Sequence, residues 1–250
     1  MWDNPRWLNL VANVLFGAAL AGALALVCLA LMRSPAFSLR SIRVLGQPQH
    51  VTSGEVVKAL QGRVSGTFFT VDLEAVRGLF EGIPWVRRAE VRRLWPDELE
   101  VRLEEQVPLA RWGKEGDEQL VNTYGELFRG HSDAVLPSFA GPAASEAEVT
   151  RRYAEFHKLL APLGVAPMSV LLSQRYAWQL RLSNGLVLQL GRERDKDGLA
   201  DRLARFVEAY PRTLGKLERR VEYVDLRYSN GFAVRLPDAR APAAHRLHRV

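Results

Sequence analysis

A long uncharged stretch dominates the hydrophobic pattern near the N-terminus. Val14 to Met32 is nineteen residues without a charged side chain. As a helix it spans about 28 Å at 1.5 Å per residue, close to the hydrocarbon thickness of a bilayer. It is longer than the apolar region of a cleaved signal peptide, and no small-residue cleavage site ends it. The pattern therefore predicts a transmembrane helix over residues 14–32, preceded by a short segment, residues 1–13.

Strand-like and helix-like patterns alternate after this stretch. Ser41 to Leu45 predicts a strand, and the spacing of Thr52 and Glu55 is that of a capping box at the start of a helix. Asp72 is a favourable N-cap for a second helix, which has apolar residues at helical spacing. Two strands with alternating apolar positions follow. The order strand, helix, helix, strand, strand predicts two helices packed on one side of a three-stranded sheet.

The last two predicted strands carry charges of opposite sign on one face. The turn between them is predicted at Trp95-Pro96-Asp97-Glu98. Antiparallel pairing would place Arg opposite Glu across the strands, a modest gain of about 0.2–1 kcal/mol per pair. Glu104 and Glu105 end the second strand, where consecutive side chains point to opposite faces. We therefore expect a solvated strand end there, not a pair of carboxylates sharing a proton.

From Pro108 onward the pattern predicts a mixed, strand-rich domain over residues 108–236. The spacing of Ser145 and Glu148 repeats that of a capping box. The Asn-Gly dipeptides at 184–185 and 230–231 are strong hairpin signals. In order, the predicted elements are two short strands over 120–128, a helix over 145–163, a hairpin over 178–188, a helix over 198–210 and a final hairpin over 223–234. The fold class is thus α+β, followed by a short tail, residues 237–250, predicted to be disordered.

Composition and motifs exclude several classes of function. Cys28 is the single cysteine, which excludes an internal disulfide framework and a cysteine-based zinc cluster. Phosphate-binding loops, zinc-protease motifs and nucleophile elbows are absent, and the five histidines are scattered. The net charge is +6, but arginines alternate with acidic residues, which is typical of a solvated surface and not of a phosphate track. We therefore expect no catalytic residues, metal, cofactor, small-molecule substrate or nucleic-acid partner.

The final hairpin is the strongest candidate for a functional site. Its returning strand has no successor in the chain to cover it, so it is expected at a sheet edge. An edge strand offers unpaired backbone groups that a partner can extend as a further strand. Tyr228 and Phe232 flank the turn. They are either aromatic anchors for a partner or residues of the hairpin core, and the pattern alone does not separate these readings.

Several strings resemble the FtsQ/DivIB family of bacterial cell-division proteins. The resemblance covers nearly the whole chain. Its most specific motifs are IPWVRRAEV at 83–91 with WPDEL at 95–99, and YVDLRY at 223–228 with NGFAV at 230–234. The strings LGR at 190–192 and RLARF at 202–206 support it.

The resemblance implies a domain organisation and a location. Residues 37–107 would form a POTRA domain and residues 108–236 the β domain of the family. Both domains would lie in the periplasm and the N-terminus in the cytoplasm. The helix would anchor the protein in the inner membrane at the division septum. The local charges point the other way, because Arg6 precedes the apolar run whereas Arg33, Arg40 and Arg43 follow it. Long exported domains can translocate despite such charges, so we expect the orientation of the family.

The resemblance also implies a non-catalytic scaffold of the divisome with protein partners. Such a protein brings FtsB and FtsL into the division complex and contacts FtsK, FtsW and FtsI. FtsB would add a strand to the last sheet strands. Carried over to this sequence, that contact falls on Arg227, Tyr228, Ser229, Asn230, Gly231, Phe232, Ala233 and Val234. Arg175 resembles a second, charged contact.

Two other functions compete with this one. A POTRA-bearing subunit of a secretion or outer-membrane assembly system would share the first domain, although a barrel component would need many more alternating segments. A membrane-bound envelope hydrolase would need a nucleophile and a base, and no such pair is evident in the sequence.

Overall fold

A computed structural model describes residues 5–46, 48–113, 116–194, 197–216, 221–228 and 231–236. Contacts divide the chain into two compact units, Met1–Gln106 and Val107–Val250. Each unit has its own hydrophobic core.

Helix α1, Pro5–Met32, contains the apolar stretch. Its segment Asn9–Met32 is long and apolar enough to cross a membrane, and none of it is buried inside the protein. An N-terminal apolar helix is therefore confirmed, and it begins well before the uncharged run because the polar residues ahead of Val14 continue the same helix.

The first unit continues with the predicted order of elements. They are β1 (Ser41–Leu45), α2 (Ser53–Leu60), α3 (Leu73–Glu81), β2 (Val86–Leu94) and β3 (Glu98–Glu105). The sheet order is β1-β3-β2, with β1 and β3 parallel and β2 and β3 antiparallel. The expected β-α-α-β-β arrangement is confirmed.

The caps of the two short helices explain where they begin. Thr52 and Glu55 form the full capping box, each accepting a backbone N–H of the other. The Asp72 carboxylate accepts the backbone N–H groups of Glu74 and Ala75 at 3.0 and 3.1 Å. Since caps satisfy backbone donors that a helix leaves free, these residues fix both starting points.

The register of this sheet places opposite charges across the two strands, as predicted. Arg88 lies opposite Glu104, Glu90 opposite Arg102, and Arg92 opposite Glu100. Arg92 forms an ion pair with Glu100, whereas the ion pair of Glu104 is with Arg87. On the opposite face, Ala89, Leu99 and Val101 are buried with Val76 and Phe80 of α3.

The expectation of a solvated strand end is wrong for Glu105. Its side chain is 19% exposed and accepts the backbone N–H groups of Gln49, His50 and Val51, each at 3.0 Å. Burial alone would raise the pKa of Glu105, but these donors outweigh it and hold the pKa below its ordinary value. Glu105 therefore fastens the loop after β1 to the end of β3.

Among the described residues, the second unit has a nine-stranded sheet and two α-helices. The strand order is β12-β11-β10-β9-β8-β7-β4-β5-β6. The strands are β4 (Pro108–Trp112), β5 (Gln119–Asn122), β6 (Leu127–Arg129), β7 (Ser138–Ala140), β8 (Pro167–Leu172), β9 (Trp178–Leu182), β10 (Val187–Gly191), β11 (Tyr223–Asp225) and β12 (Ala233–Arg235). The helices are α4 (Glu146–Leu160) and α5 (Leu199–Ala209). This strand-rich domain with two helices confirms the α+β fold class.

The start of α4 departs from the predicted capping box. The Ser145 side chain makes no capping bond, and its hydroxyl instead donates to the carbonyl oxygen of Pro142 at 2.6 Å. The Pro142 carbonyl oxygen, in the turn before the helix, lies close enough to accept the hydrogen bond of the Ser145 hydroxyl.

Candidate partner-binding edge

The final hairpin lies at one end of the nine-stranded sheet. Strand β12 is antiparallel to β11, pairing Tyr223 with Arg235, Val224 with Val234, and Asp225 with Ala233. On its other side β12 has no strand neighbour among the residues that the structure describes. All three of its residues are exposed. The hairpin thus presents the open edge that its place in the chain suggested.

Strand β11 connects this edge to the core of the unit. It pairs in parallel with β10, and Val224 is fully buried opposite Leu188. The backbone N–H of Leu226 donates to the carbonyl oxygen of Gln189 at 2.9 Å. Strand β12 therefore pairs with a strand that is itself held by hydrogen bonds to β10.

Arg227 is held in place at the end of β11 by Asp225. Its Nε and Nη2 atoms donate to the Asp225 carboxylate at 2.6–3.0 Å, and its backbone N–H donates to the same group at 3.0 Å. The Arg227 guanidinium holds the pKa of the Asp225 carboxyl below its ordinary value. Although paired, the Arg227 side chain is 54% exposed. The Arg227 side chain therefore remains accessible to an acidic group of another molecule.

Gly191 makes room for the stem of Arg227. It has a φ of +78°, and a Cβ there would lie 2.8 Å from Cγ of Arg227. A side chain at this position would be strained and would displace the arginine. The glycine of the LGR string is thus explained by the packing of Arg227.

Tyr228 and Phe232 have different environments, which separates the two readings of this pair. Tyr228 is 58% exposed. Phe232 is partly buried and meets Phe206 of α5 edge-on, with the ring centroids 6.1 Å apart. A groove of about 290 Å³ lies beside it, between α5 and the hairpin. Phe232 therefore contributes to packing, and Tyr228 is the aromatic side chain available to a partner.

The buried Arg202 is a structural residue that the sequence analysis missed. Its side chain is 1% exposed, and Nη1 donates to the carbonyl oxygens of Leu190 and Arg192 at 2.6 and 2.8 Å. Its Nε atom donates to Asp197 at 2.7 Å, and Arg205 donates to the other oxygen of that carboxylate. Bonds from both arginines lower the pKa of Asp197. This network ties the end of β10 to α5 and so supports the strand on which the hairpin is built.

Arg175 lies at the same end of the sheet as Arg227, without contacting it. It is an exposed residue of the turn between β8 and β9. Strand β9 begins at Trp178, which pairs with Gly191 at the end of β10, and β11 runs parallel to β10. Two strand spacings, about 10 Å, therefore separate the strands next to the two arginines. Of the other predicted site residues, Gly231, Ala233 and Val234 lie on the hairpin and are exposed, whereas Ser229 and Asn230 fall outside the described residues.

The described part of the chain holds no group of three or more His, Cys, Asp or Glu side chains that could bind a metal ion.

Comparisons with known proteins agree along most of the chain. A family model described as cell division protein FtsQ/DivIB, C-terminal, matches residues 110–227. A second model, described as POTRA domain, FtsQ-type, matches residues 37–106.

Similar proteins come from several bacteria. The cell division protein FtsQ of Burkholderia pseudomallei (strain K96243) is 48% identical over 238 residues, which is 94% of each chain. That of Bordetella pertussis (strain Tohama I) is 41% identical, over 99% of this chain and 97% of the relative. That of Neisseria gonorrhoeae (strain FA 1090) is 32% identical, over 94% and 95%. With the apolar helix α1, these relatives indicate a single-pass membrane protein involved in division. The chain belongs to the FtsQ/DivIB family of cell-division proteins.

Proposed function

We propose that this chain is a non-catalytic scaffold that recruits and links other division proteins at the septum. Helix α1 anchors it in the inner membrane, with the short N-terminal segment in the cytoplasm. The POTRA domain, residues 37–107, and the β domain, residues 108–236, lie in the periplasm. Its family consists of division scaffold proteins that are not known enzymes, which supports this role.

Partner binding occurs by addition of a strand to β12. The observation that carries this proposal is the position of β12 as the outermost described strand, with all three residues exposed. Backbone groups on such an edge can continue the ladder with an extended segment of another protein. The partner is FtsB, which arrives together with FtsL.

Two cations give the added segment a preferred chemistry. Arg227 and Arg175 are both exposed, and both lie at the end of the sheet where β11 ends. Opposite charge on a partner favours correct docking and speeds association. The added segment is therefore expected to carry acidic residues on this side of the edge.

Further contacts with FtsK, FtsW and FtsI complete the proposed role. The alternative of a POTRA-bearing secretion subunit is not favoured, because the relatives over nearly the whole chain are division proteins.

Replacing Tyr228 with alanine tests the site. Tyr228→Ala removes an exposed aromatic ring beside the edge, so its loss is expected to weaken binding of an FtsB peptide about tenfold, or about 1.4 kcal/mol, as for an aromatic hot spot. Isothermal titration calorimetry with the full chain in detergent measures the change. Phe232→Lys is a poorer test because that ring packs on Phe206.

The matched control is Tyr124→Ala, which removes a ring of similar exposure, 60%, beside another hairpin turn. It should leave the affinity unchanged. If Tyr228→Ala bound the peptide as tightly as the unmodified chain while melting at the same temperature, the binding site would not be at this edge.

A further inference from the structure

Aromatic and cationic side chains gather where the rest of the first unit meets the last turn of α1. The Thr67 hydroxyl donates to the carbonyl oxygen of Met32, the final residue of α1, at 2.6 Å. Next to it, the backbone N–H of Phe68 donates to the carbonyl oxygen of Phe37 at 2.7 Å. The loop around Thr67 therefore lies directly against the end of the apolar helix.

The turn between β2 and β3 is at the same end of the sheet. Ser41, the first residue of β1, pairs with Glu98, the first residue of β3. The backbone N–H of Arg40 donates to the carbonyl oxygen of Asp97 at 3.0 Å. Arg93, near the end of β2, donates to the carbonyl oxygen of Phe68 at 2.7 Å. These bonds place the Trp95 turn beside both the Thr67 loop and the segment that leaves α1.

Large aromatic side chains on this end are exposed to solvent. Trp95 is 75% exposed and Phe69 is 42% exposed. The Phe69 ring meets Phe37 edge-on, with the centroids 5.0 Å apart. Single exposed aromatics are common on protein surfaces, but this group borders a membrane-spanning helix, where Trp is enriched at the interface with water.

The charges on this end are mainly positive. Arg33 and Arg40 are exposed, and the Arg40 side chain is 77% exposed even though it pairs with Asp97 at 3.3 Å. Anionic headgroups attract such juxtamembrane cations. Met32 ends the uncharged run, so the Thr67 hydroxyl that contacts its carbonyl lies near the start of the headgroup layer, which is about 5–8 Å thick.

We propose that this membrane-proximal face, consisting of Arg33, Phe37, Arg40, Phe69, Arg93 and Trp95, binds the anionic phospholipid surface next to α1. The contact fixes the orientation of the POTRA domain on the bilayer. It depends only on insertion of α1 into the membrane, and not on the proposed partner-binding edge or on the direction of insertion.

Two tryptophans in this domain allow an internally controlled test. Trp85 and Trp95 flank β2, whose nine residues separate them by about 30 Å. The full chain, labelled with 5-fluorotryptophan, is placed in nanodiscs of phosphatidylglycerol and phosphatidylcholine in which a few headgroups carry a gadolinium chelate. The fluorine signal of Trp95, assigned with Trp95→Phe, should be broadened at least fivefold more than that of Trp85. In nanodiscs of phosphatidylcholine alone, with the same chelate, the excess should fall by half or more.

A charge variant and its control complete the experiment. Arg33→Gln combined with Arg40→Gln should reduce the excess broadening of Trp95 at least twofold, with the Trp85 shift unchanged as a check of folding. Arg77→Gln, on the exposed face of α3, should not reduce it. Equal broadening of Trp95 and Trp85 would overturn the proposal and leave this face to a protein partner. Equal broadening of Trp95 in both lipid mixtures would overturn the assignment to anionic headgroups.

Discussion

The buried charge of Arg202 supports the candidate edge by holding the end of β10, the strand next to the final hairpin. Its guanidinium reaches two carbonyl oxygens near the end of β10 and the carboxylate of Asp197. A buried charge is tolerated only with such partners, and removing one member leaves the others without hydrogen bonds. Arg205 shares Asp197 but is 46% exposed, so water can replace its contact.

Replacing Arg202 is therefore expected to destabilise the second unit far more than replacing Arg205. Arg202→Met should lower the free energy of unfolding by about 3–5 kcal/mol, or the melting temperature by about 10 °C. Arg205→Met should cost about 0–1 kcal/mol, as for an exposed ion pair. Thermal unfolding of the full chain in detergent, followed by near-ultraviolet circular dichroism, measures both. Equal shifts in the two variants would contradict the structural role of Arg202.

At the scale of elements, Glu105 joins the end of β3 to the loop after β1. The Glu105 carboxylate accepts hydrogen bonds from three backbone N–H groups, and these bonds favour its ionised form. Because the folded state lowers the pKa of Glu105, the ionised form stabilises the fold at pH values above the unfolded pKa, about 4.3. This contribution is lost as the pH falls through the folded pKa.

The pH dependence gives a direct prediction. Glu105→Gln should destabilise the POTRA domain by about 1 kcal/mol at pH 7, because the amide oxygen is a weaker acceptor than a carboxylate. Below about pH 4 the difference from the unmodified chain should shrink. Glu104→Gln is the matched control, since Glu104 is 45% exposed and pairs across the strand with Arg87. Thermal unfolding at pH 7 and pH 3.5 checks this, and a difference that did not narrow on acidification would count against it.

Elements with strong local patterns could be predicted from the sequence, and those that depend on distant partners could not. The caps Thr52 and Asp72 and the alternation along β2 and β3 gave the first domain its correct order. Strands β4, β7 and β8 were missed. Strand β7 has only three residues, and it pairs in parallel with both β4 and β8. Because its partners are far apart in the chain, no local pattern marks β7. Strands β4 and β8 are antiparallel to the strands that follow them, but each begins at a proline and shifts register near its start, so buried positions do not alternate along the whole strand.

The edge position of the final hairpin was predictable, but the contacts that support it were not. Strand β12 is the outermost strand of the sheet among the described residues, as expected for the final hairpin. The burial of Arg202 could not be predicted, because its carbonyl partners become neighbours only in the folded unit. Its one signal was its position in α5, one residue before the buried Leu203. From the sequence alone, an arginine next to buried apolar residues in a helix is predicted to be exposed, because its hydrogen-bond partners are not known.

At the scale of the whole molecule, the chain consists of two units with separate cores, and the first unit includes the apolar helix α1. The first unit carries the membrane-proximal face, and the second carries the edge proposed for FtsB. Lipid contact and partner binding are thus assigned to different units, so variants in one should leave the other activity unchanged.

The orientation of the chain in the membrane is tested by a reporter fusion. Alkaline phosphatase, which is active only in the periplasm, is expected to be active when fused after Val250, because the long exported domains override the arginines that follow α1. The same fusion lacking residues 1–32 should be inactive. Activity of a cytoplasm-dependent reporter at the same position, without phosphatase activity, would reverse the proposed topology.

Strand β12 is the last in chain order, yet it forms the outer rim of a sheet whose other members are translated earlier. A polypeptide released or clipped before Ala233 would keep most of the core but would display β11 as its rim, with the Asp225 carboxylate beside it. Such a truncated product would keep the pair of Arg227 and Asp225 but lack the outer strand that the proposed partner extends. If FtsB is recruited through this rim, as proposed, then recruitment requires that synthesis has reached the final hairpin, and incomplete copies are left out.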